Sequence, residues 1–172
     1  MTGGTWHRQH IANTPQKLDL VQSTLLKLTE NFEFELLAWA VFSNHYHMVI
    51  QHHGERNDDL AQLMRHLHGT LSRQLNQMDG ISGRRCFYQF WDTTISDEVS
   101  LFARMNYVMQ NPVKHGLAAT ASQYPWCSES WFLAKQGSAK YGTVKSFPTD
   151  EVNVYDDFEP LVVPSEAKHD PA

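Results

Sequence analysis

Cysteine is scarce in this chain of 172 residues, which contains only Cys86 and Cys127. Two thiols cannot form the disulfide framework of a small secreted domain, and neither has a neighbour at the spacing of zinc ligands. The sequence also lacks an apolar run near the roughly 20 residues needed to span a bilayer, and its first residues do not have the pattern of a signal peptide. We therefore expect a cytoplasmic protein with no membrane partner.

An excess of basic residues is absent as well, because the formal net charge is −5. A negative charge argues against nucleic acid as a partner, since phosphate contacts come from Lys and Arg. The distribution of charge reverses this argument: residues 62–145 contain nine Lys and Arg against five Asp and Glu, whereas residues 146–172 contain one against seven. We expect a folded domain over residues 1–146 that can present a basic face, followed by an irregular acidic tail over residues 147–172.

Hydrophobic periodicity predicts the secondary structure of the domain. Helices are expected over 15–31, 60–78, 96–111 and 128–136, and strands over 34–42, 45–52 and 84–91. We also expect an opening strand that contains His7 and His10, a helix cap at residues 57–59, and a loop over 137–142. The third helix is expected to end near Asn111, because the residue before a proline avoids helical geometry.

Two histidines, His45 and His47, lie within an apolar segment that predicts a strand. Alternate side chains of a strand point to the same face, with their Cα atoms about 7 Å apart, so both imidazoles could bind one cation. Burying polar rings beside hydrocarbon is unfavourable unless they are bonded, and a metal ion would supply those bonds. A histidine pair alone is more often an ordinary surface or core feature, so a metal site needs further ligands.

Tyr107 and Asn111 are four residues apart on the third predicted helix, which places their side chains on one face. A tyrosine hydroxyl near a divalent cation can act as a nucleophile, and an amide oxygen can join two imidazoles as a third ligand. The alternative for Tyr107 is a core aromatic ring whose hydroxyl reaches the surface.

Two sequence blocks together resemble a known family: FSNHYH at residues 42–47 and YVMQNPVKHG at residues 107–116. They are similar to the paired signature of the single-tyrosine HUH transposases, in particular the REP-associated tyrosine transposase branch. Residues 67–73 and 89–92 are also similar to that branch, and the resemblance covers roughly residues 5–135 with its elements in the expected order. It implies an α+β fold of ferredoxin-like type, with a mostly antiparallel sheet and helices packed against it.

The resemblance also implies an activity, that of a metal-dependent endonuclease and strand transferase acting on single-stranded DNA, which is the chemistry of DNA transposition. On this chain, His45, His47 and Asn111 would bind Mg²⁺ or Mn²⁺, and Tyr107 would attack the scissile phosphate to form a 5′-phosphotyrosine. The implied DNA partner is a hairpin-containing repeat, and the active species is a monomer or a homodimer. Candidates for phosphate contacts are Arg65, Arg73, Arg84, Arg85, Arg104 and Lys114.

Two other functions compete with this interpretation. The first is a DNA-binding module that keeps the fold but no longer cleaves. The second is a small metallohydrolase in which the histidine pair and a carboxylate, such as Asp92, activate water. The charge distribution adds a separate hypothesis, that the segment from Asp150 to Glu159 folds over the basic face and competes with DNA.

Overall fold

The computed structural model describes residues 1–52, 59–150 and 152–165 of the chain. Within these ranges, no helix is both long and apolar enough to cross a membrane. The strands are β1 (Thr2–Thr5), β2 (Phe34–Val41), β3 (His45–His52) and β4 (Phe87–Trp91). The longer helices are α1 (Pro15–Asn31), α2 (Asp59–Asp79), α3 (Glu98–Lys114) and α4 (Glu129–Lys145).

The four strands form one antiparallel sheet in the order β2-β3-β1-β4. The chain order of strands and helices, β-α-β-β-α-β, gives this sheet the ferredoxin-like arrangement. The predicted α+β fold is therefore confirmed. Strand β3 lies inside the sheet, where it pairs with β2 on one side and with β1 on the other.

Side-chain alternation along β3 separates its residues between the two faces of the sheet. Tyr46 points to the face covered by α2, where its hydroxyl lies 2.8 Å from Nε2 of His68. His45 and His47 point to the opposite face, where the ring centroid of His47 lies 6.0 Å from that of Tyr107 on α3. The strand and helix predicted to carry the site therefore face each other.

Helix α3 continues one turn beyond its predicted end at Asn111 and includes Pro112. A proline lacks the amide hydrogen needed for an internal helical bond, yet the backbone stays helical through Pro112 to Lys114. Gly116 then takes a positive φ of 68° just after the helix. The extra turn matters because it places Lys114 on the same helical face as Tyr107.

Other predicted boundaries also need correction. Gly137, with φ 79°, divides α4 by a kink, which agrees with the predicted helix end at residue 136, but the predicted loop over 137–142 belongs to a second helical segment that runs to Lys145. The opening strand ends at Thr5, so His7 lies in a short 3-10 turn and His10 follows that turn. Strand β4 begins at Phe87, after Arg84 and Arg85. Asn57 and Asp58 of the predicted cap lie outside the described residues.

A pair of glycine substitutions tests the packing that holds β3 in register. A Cβ on Gly3 would overlap the Tyr46 ring, whereas a Cβ on Gly69 in α2 has no atom within 4 Å. We expect Gly3→Ala to lower the free energy of unfolding by about 1–3 kcal/mol because the core is overpacked. Gly69→Ala should raise it by up to about 1 kcal/mol through helix propensity. Urea unfolding of both variants measures the difference, and equal effects would contradict the close packing of Gly3 on Tyr46.

Candidate active site

His45 and His47 of β3 are oriented by hydrogen bonds at their Nδ1 atoms. Nδ1 of His45 lies 2.9 Å from Oδ1 of Asn44, and Nδ1 of His47 lies 2.8 Å from Oγ1 of Thr2. A carbonyl oxygen only accepts, so Nδ1 of His45 carries the proton and its Nε2 keeps a lone pair. Such a bond at the far ring nitrogen is the usual support of a metal-binding histidine.

Both imidazoles are enclosed by aromatic rings and backbone. The His45 ring stacks between Phe42, at a centroid distance of 4.5 Å, and Phe158 of the tail, at 4.3 Å. His45 is 2% exposed and His47 is fully buried. Burial lowers the pKa of both rings, and that of His45 falls well below its ordinary value. The rings are therefore neutral at physiological pH, the form in which imidazole binds a metal.

Three side chains of α3 line the opposite wall of the site. Tyr107, Asn111 and Lys114 recur at intervals of four and three residues, which places them on one face of the helix. Nζ of Lys114 donates a hydrogen bond of 2.7 Å to the Tyr107 hydroxyl. The helix face with the phenol and amide predicted from spacing therefore also carries an ammonium group, which the sequence predicted only as a candidate phosphate contact.

The carboxylate of Asp156, in the C-terminal tail, lies between these two walls. Its Oδ2 accepts hydrogen bonds from Tyr107 at 2.5 Å, from Lys114 at 2.6 Å and from Nδ2 of Asn111 at 3.0 Å. Its Oδ1 lies 3.6 Å from Nε2 of His45 and 3.4 Å from Nε2 of His47. One buried anion therefore contacts the proposed nucleophile and all three proposed metal ligands.

This carboxylate keeps the Tyr107 phenol protonated. Burial and then the hydrogen bond to Asp156 raise the pKa of Tyr107 to about 12, although Lys114 acts in the opposite direction. Burial alone would raise the pKa of Asp156, but the neighbouring His115, His47 and Lys114 side chains outweigh it and hold that pKa far below its usual range. Asp156 is therefore ionised, and Tyr107 in this arrangement is a hydrogen-bond donor rather than a nucleophile.

The donor atoms in the site fit a divalent cation. Nε2 of His45, Nε2 of His47 and Oδ1 of Asn111 are buried and find no hydrogen-bond partner among the described residues. Buried polar atoms without a partner are unfavourable, and a metal ion would satisfy all three. His45, His47 and Asp156 also offer ligand atoms that all lie within 4.8 Å of one another. The site thus has two candidates for a third ligand, Asn111 and Asp156.

The tail that carries Asp156 has no helix or strand over residues 152–165, but it is held against the sheet. Tyr155 stacks on Trp91 of β4 at 4.0 Å, and the buried Phe158 covers His45. Gly4 of β1 makes room for Phe158, because a Cβ at that position would lie 2.8 Å from its ring. The segment predicted to fold over a basic face does reach the candidate site, where it contacts Lys114.

The candidate arginines do not gather around this site. Arg65 and Arg73 are exposed on α2, which covers the sheet face opposite the histidines. Arg84 pairs with Asp79 at 2.6 Å and also bonds Asn76, so its charge is engaged in a local cluster. Arg104 hydrogen-bonds Ser100 and contributes to a small cavity that His47 also lines. Arg85 is exposed, with its guanidinium 4.2 Å from the centre of the Trp6 ring.

Sequence reasoning missed several groups that support the site. Thr2 and Asn44 orient the histidines, and Arg8 pairs with Asp157 of the tail at 2.5 Å. The carboxylate at the histidines is Asp156 and not Asp92, which is exposed beyond the end of β4. Asn44 adjoins the histidine motif and could have been noticed there. Asp156 carries no local signal, because it is 49 residues from Tyr107.

Together, the antiparallel α+β fold and a histidine pair facing a tyrosine define the class of tyrosine transposases. A family model confirms the class: the family described as "Transposase IS200 like" matches residues 5–111. The chain belongs to this family.

The relatives of the chain are consistent with the branch suggested by its motifs. The REP-associated tyrosine transposase of Escherichia coli (strain K12) is 25% identical over 134 residues, which cover 72% of this chain and 75% of that protein. A Haemophilus influenzae protein that bears the same designation provisionally is 28% identical over 120 residues, covering 62% of this chain and 65% of its own length. The resemblance to REP-associated tyrosine transposases is therefore confirmed.

A solved structure, described as a REP-associated tyrosine transposase bound to a REP hairpin, has the same fold. The TM-score is 0.63 at 20% sequence identity, and the match covers 95% of this chain and 90% of that chain.

The hypothesis that the tail competes with DNA can be tested with two variants that remove the same charge. Asp156→Asn removes the anion that occupies Lys114 and Tyr107, whereas Glu159→Gln changes an exposed side chain three residues away. We expect Asp156→Asn to strengthen binding of single-stranded DNA about tenfold, equivalent to about 1.4 kcal/mol, and Glu159→Gln to change it little. Fluorescence anisotropy measures both, and equal effects would reject competition at the site.

Proposed function

We propose that this protein is a metal-dependent endonuclease and strand transferase for single-stranded DNA that works through a 5′-phosphotyrosine intermediate. The observation that carries the proposal is the set of groups around Asp156. A phenol, an ammonium group and two orphaned imidazole nitrogens converge on one buried anionic oxygen pair. A phosphodiester bears its negative charge on two such oxygens. Once the tail carboxylate leaves, Tyr107 and Lys114 would donate to the phosphate, and a metal ion held by the imidazole nitrogens would face its other oxygen.

The proposed reaction conserves the number of phosphodiester bonds. The Tyr107 oxygen attacks the scissile phosphorus, the bond from phosphorus to the 3′-oxygen breaks, and the phenolic proton is lost as a free 3′-hydroxyl forms. Rejoining is the reverse: a 3′-hydroxyl attacks the phosphotyrosine and Tyr107 leaves as the phenol. Because each step exchanges one ester for another, no external energy source is required.

Lys114 has a role in this reaction that follows from its position. Its ammonium group donates to the Tyr107 oxygen, so it stabilises the negative charge that develops as the phenol loses its proton. The same group is close enough to a bound anion to donate to it directly, as it does to Asp156. We assign it to orientation of the phosphate and stabilisation of the phenolate.

The metal would be held by Nε2 of His45 and His47 and by Oδ1 of Asn111, with Asp156 as the competing oxygen ligand of the closed tail. When bound, a divalent cation would neutralise charge on the non-bridging phosphate oxygens. Imidazole nitrogens suit Mn²⁺ better than Mg²⁺, so we expect Mn²⁺ to bind more tightly.

The DNA partner is proposed from the relatives. The solved structure of similar fold is described as bound to a REP hairpin, and a hairpin with a single-stranded extension is the corresponding partner proposed here. Its single-stranded part would deliver the scissile phosphate between β3 and α3.

One structural observation favours each of the two competing functions. The closed tail on Tyr107 is consistent with a DNA-binding module without cleavage activity. The cluster of His45, His47 and Asp156 is the ligand set of a metallohydrolase in which the metal would activate water. A hydrolase mechanism gives no role to the hydrogen bond between Lys114 and Tyr107, and we therefore rank it below the transferase.

Replacing the nucleophile separates the three functions. In a nicking assay with hairpin-bearing single-stranded oligonucleotides, we expect the wild-type chain to form a covalent adduct. Tyr107→Phe should reduce cleavage by more than about a thousandfold, the scale on which loss of a nucleophile acts. Retained cleavage in Tyr107→Phe would instead identify a hydrolase, and DNA binding without any adduct in the wild-type chain would identify an inactive module.

Thermal stability in the presence of Mn²⁺ tests the ligand set independently of activity. A cation at about 100 times its dissociation constant stabilises the folded state by about 2.7 kcal/mol. We expect this stabilisation to disappear in His47→Ala and in Asn111→Ala but to persist in Asp156→Asn. Loss of the stabilisation in His47→Ala and Asp156→Asn but not in Asn111→Ala would make the tail carboxylate the third ligand and reject Asn111.

A further inference from the structure

The cavity next to the candidate active site is lined largely by aromatic rings. It has a volume of about 360 Å³ and is bounded by Thr5, Trp6, His7, Arg8, Tyr88, Trp91, Tyr155 and Phe158. Phe158 separates it from the active site by one ring, because the other face of Phe158 covers His45. Trp91 and Tyr88 come from β4, and Trp6 to Arg8 form the short turn after β1.

Tail residues 155–158 carry an aromatic ring, two carboxylates and a second aromatic ring beside this cavity. Tyr155 stacks on Trp91 with ring planes 19° apart, Asp156 binds Tyr107 and Lys114, and Phe158 stacks on His45 with ring planes 9° apart. A single strand of DNA presents the same kinds of groups, because flat bases lie along a backbone of anionic phosphates. The Asp156 carboxylate contacts Tyr107 and so lies where the scissile phosphate would lie. The ring of Tyr155 then occupies the position of a base adjacent to that phosphate.

A second carboxylate of the tail extends this correspondence. Asp157 accepts from the guanidinium of Arg8 at 2.5 Å, and the same guanidinium donates to the Tyr155 hydroxyl at 3.2 Å. Arg8 and His7 both adopt positive φ values, 56° and 51°, which non-glycine residues rarely take. Such strain persists where the surrounding structure requires a particular side-chain position. Here it directs a cationic group to the rim of the aromatic cavity.

From these contacts we infer that the cavity is a nucleotide subsite of the proposed nuclease: Trp91 stacks on the base adjacent to the scissile phosphate, and Arg8 binds a neighbouring phosphate. The inference rests on the proposed function and adds the chemistry that positions the strand. The occupant is an unpaired nucleobase of single-stranded DNA. Since every base has a flat face, stacking on Trp91 positions the strand without requiring a particular base.

Binding of two probes tests the subsite in the full chain carrying Tyr107→Phe, which excludes covalent capture. The probes are fluorescently labelled oligothymidylate and an abasic oligomer of equal length, which has the same phosphates but no bases. Base stacking on an aromatic side chain is worth about 1–3 kcal/mol, so Trp91→Leu should weaken oligothymidylate binding about 5- to 100-fold. Binding of the abasic oligomer should be unchanged, and Trp91→Phe, which keeps a stacking face, should bind oligothymidylate almost as well as Trp91.

Two further variants keep the test independent of any folding defect in Trp91→Leu. Tyr155 is 40% exposed, and Tyr155→Ala should strengthen binding of oligothymidylate more than that of the abasic oligomer by vacating the Trp91 face. Arg8→Gln should reduce the slope of log affinity against log salt by about 0.7 for both probes, the value for one phosphate contact on a single strand. Equal responses of the two probes to both Trp91→Leu and Tyr155→Ala would overturn the subsite.

The outcomes also separate this inference from the proposed function. A covalent adduct at Tyr107 in the otherwise wild-type chain, combined with equal responses of the two probes, rejects the subsite and leaves the nuclease assignment standing. Absence of any adduct on hairpin-bearing DNA rejects the nuclease itself and the subsite with it.

Discussion

Three buried lone-pair atoms impose the main constraint on this molecule: Nε2 of His45, Nε2 of His47 and Oδ1 of Asn111, none of which has a hydrogen-bond partner in the described part of the chain. Leaving such groups unsatisfied in a dry interior costs roughly 1–3 kcal/mol each, so the fold keeps them only if another group compensates. Neighbouring groups fix both rings in place: Phe42 stacks on the His45 imidazole, and Thr2 and Asn44 hydrogen-bond the Nδ1 atoms of His47 and His45. A pocket in which lone pairs converge is suited to a cation and, beside that cation, to an anionic substrate.

The parts of this site that obey a local period could be predicted from the sequence. His45 and His47 share a face because a strand repeats every two residues, and Tyr107 and Asn111 share a face because a helix repeats every 3.6. The approach of these two faces depends on the antiparallel sheet with α3 packed on it, which was expected from resemblance and not from periodicity. The prediction that the helix ends near Asn111 left Lys114 outside it, so the position of Lys114 beside Tyr107 was not expected. The helix instead continues through Pro112 to Lys114, which places an ammonium group beside the Tyr107 hydroxyl.

Contacts between distant segments could not be predicted in the same way. Asp156 belongs to a segment whose prolines and acidic residues indicate an irregular tail, and nothing in that pattern specifies where the segment docks. Its position depends on shape, since Gly4 leaves room for Phe158 and Trp91 offers a flat face to Tyr155. The charge asymmetry correctly suggested that the tail approaches basic groups. It could not distinguish a diffuse attraction to exposed arginines from one carboxylate buried against Lys114.

The contacts that the tail makes in this site can be compared with those that the proposed DNA substrate would make. Opening the tail would expose Phe158, at a cost of about 1.5–3 kcal/mol for its burial, and would separate the Asp156 carboxylate from its donors. A phosphate entering the site would recover the hydrogen bonds of Tyr107 and Lys114, and a base on Trp91 would recover the stacking that Tyr155 provides. Under the proposed function, the tail and the DNA strand would satisfy the same groups, so these contacts would partly offset each other. The net preference would then depend on what DNA adds beyond the tail, namely contacts with a cation at the histidines and the charge of its other phosphates.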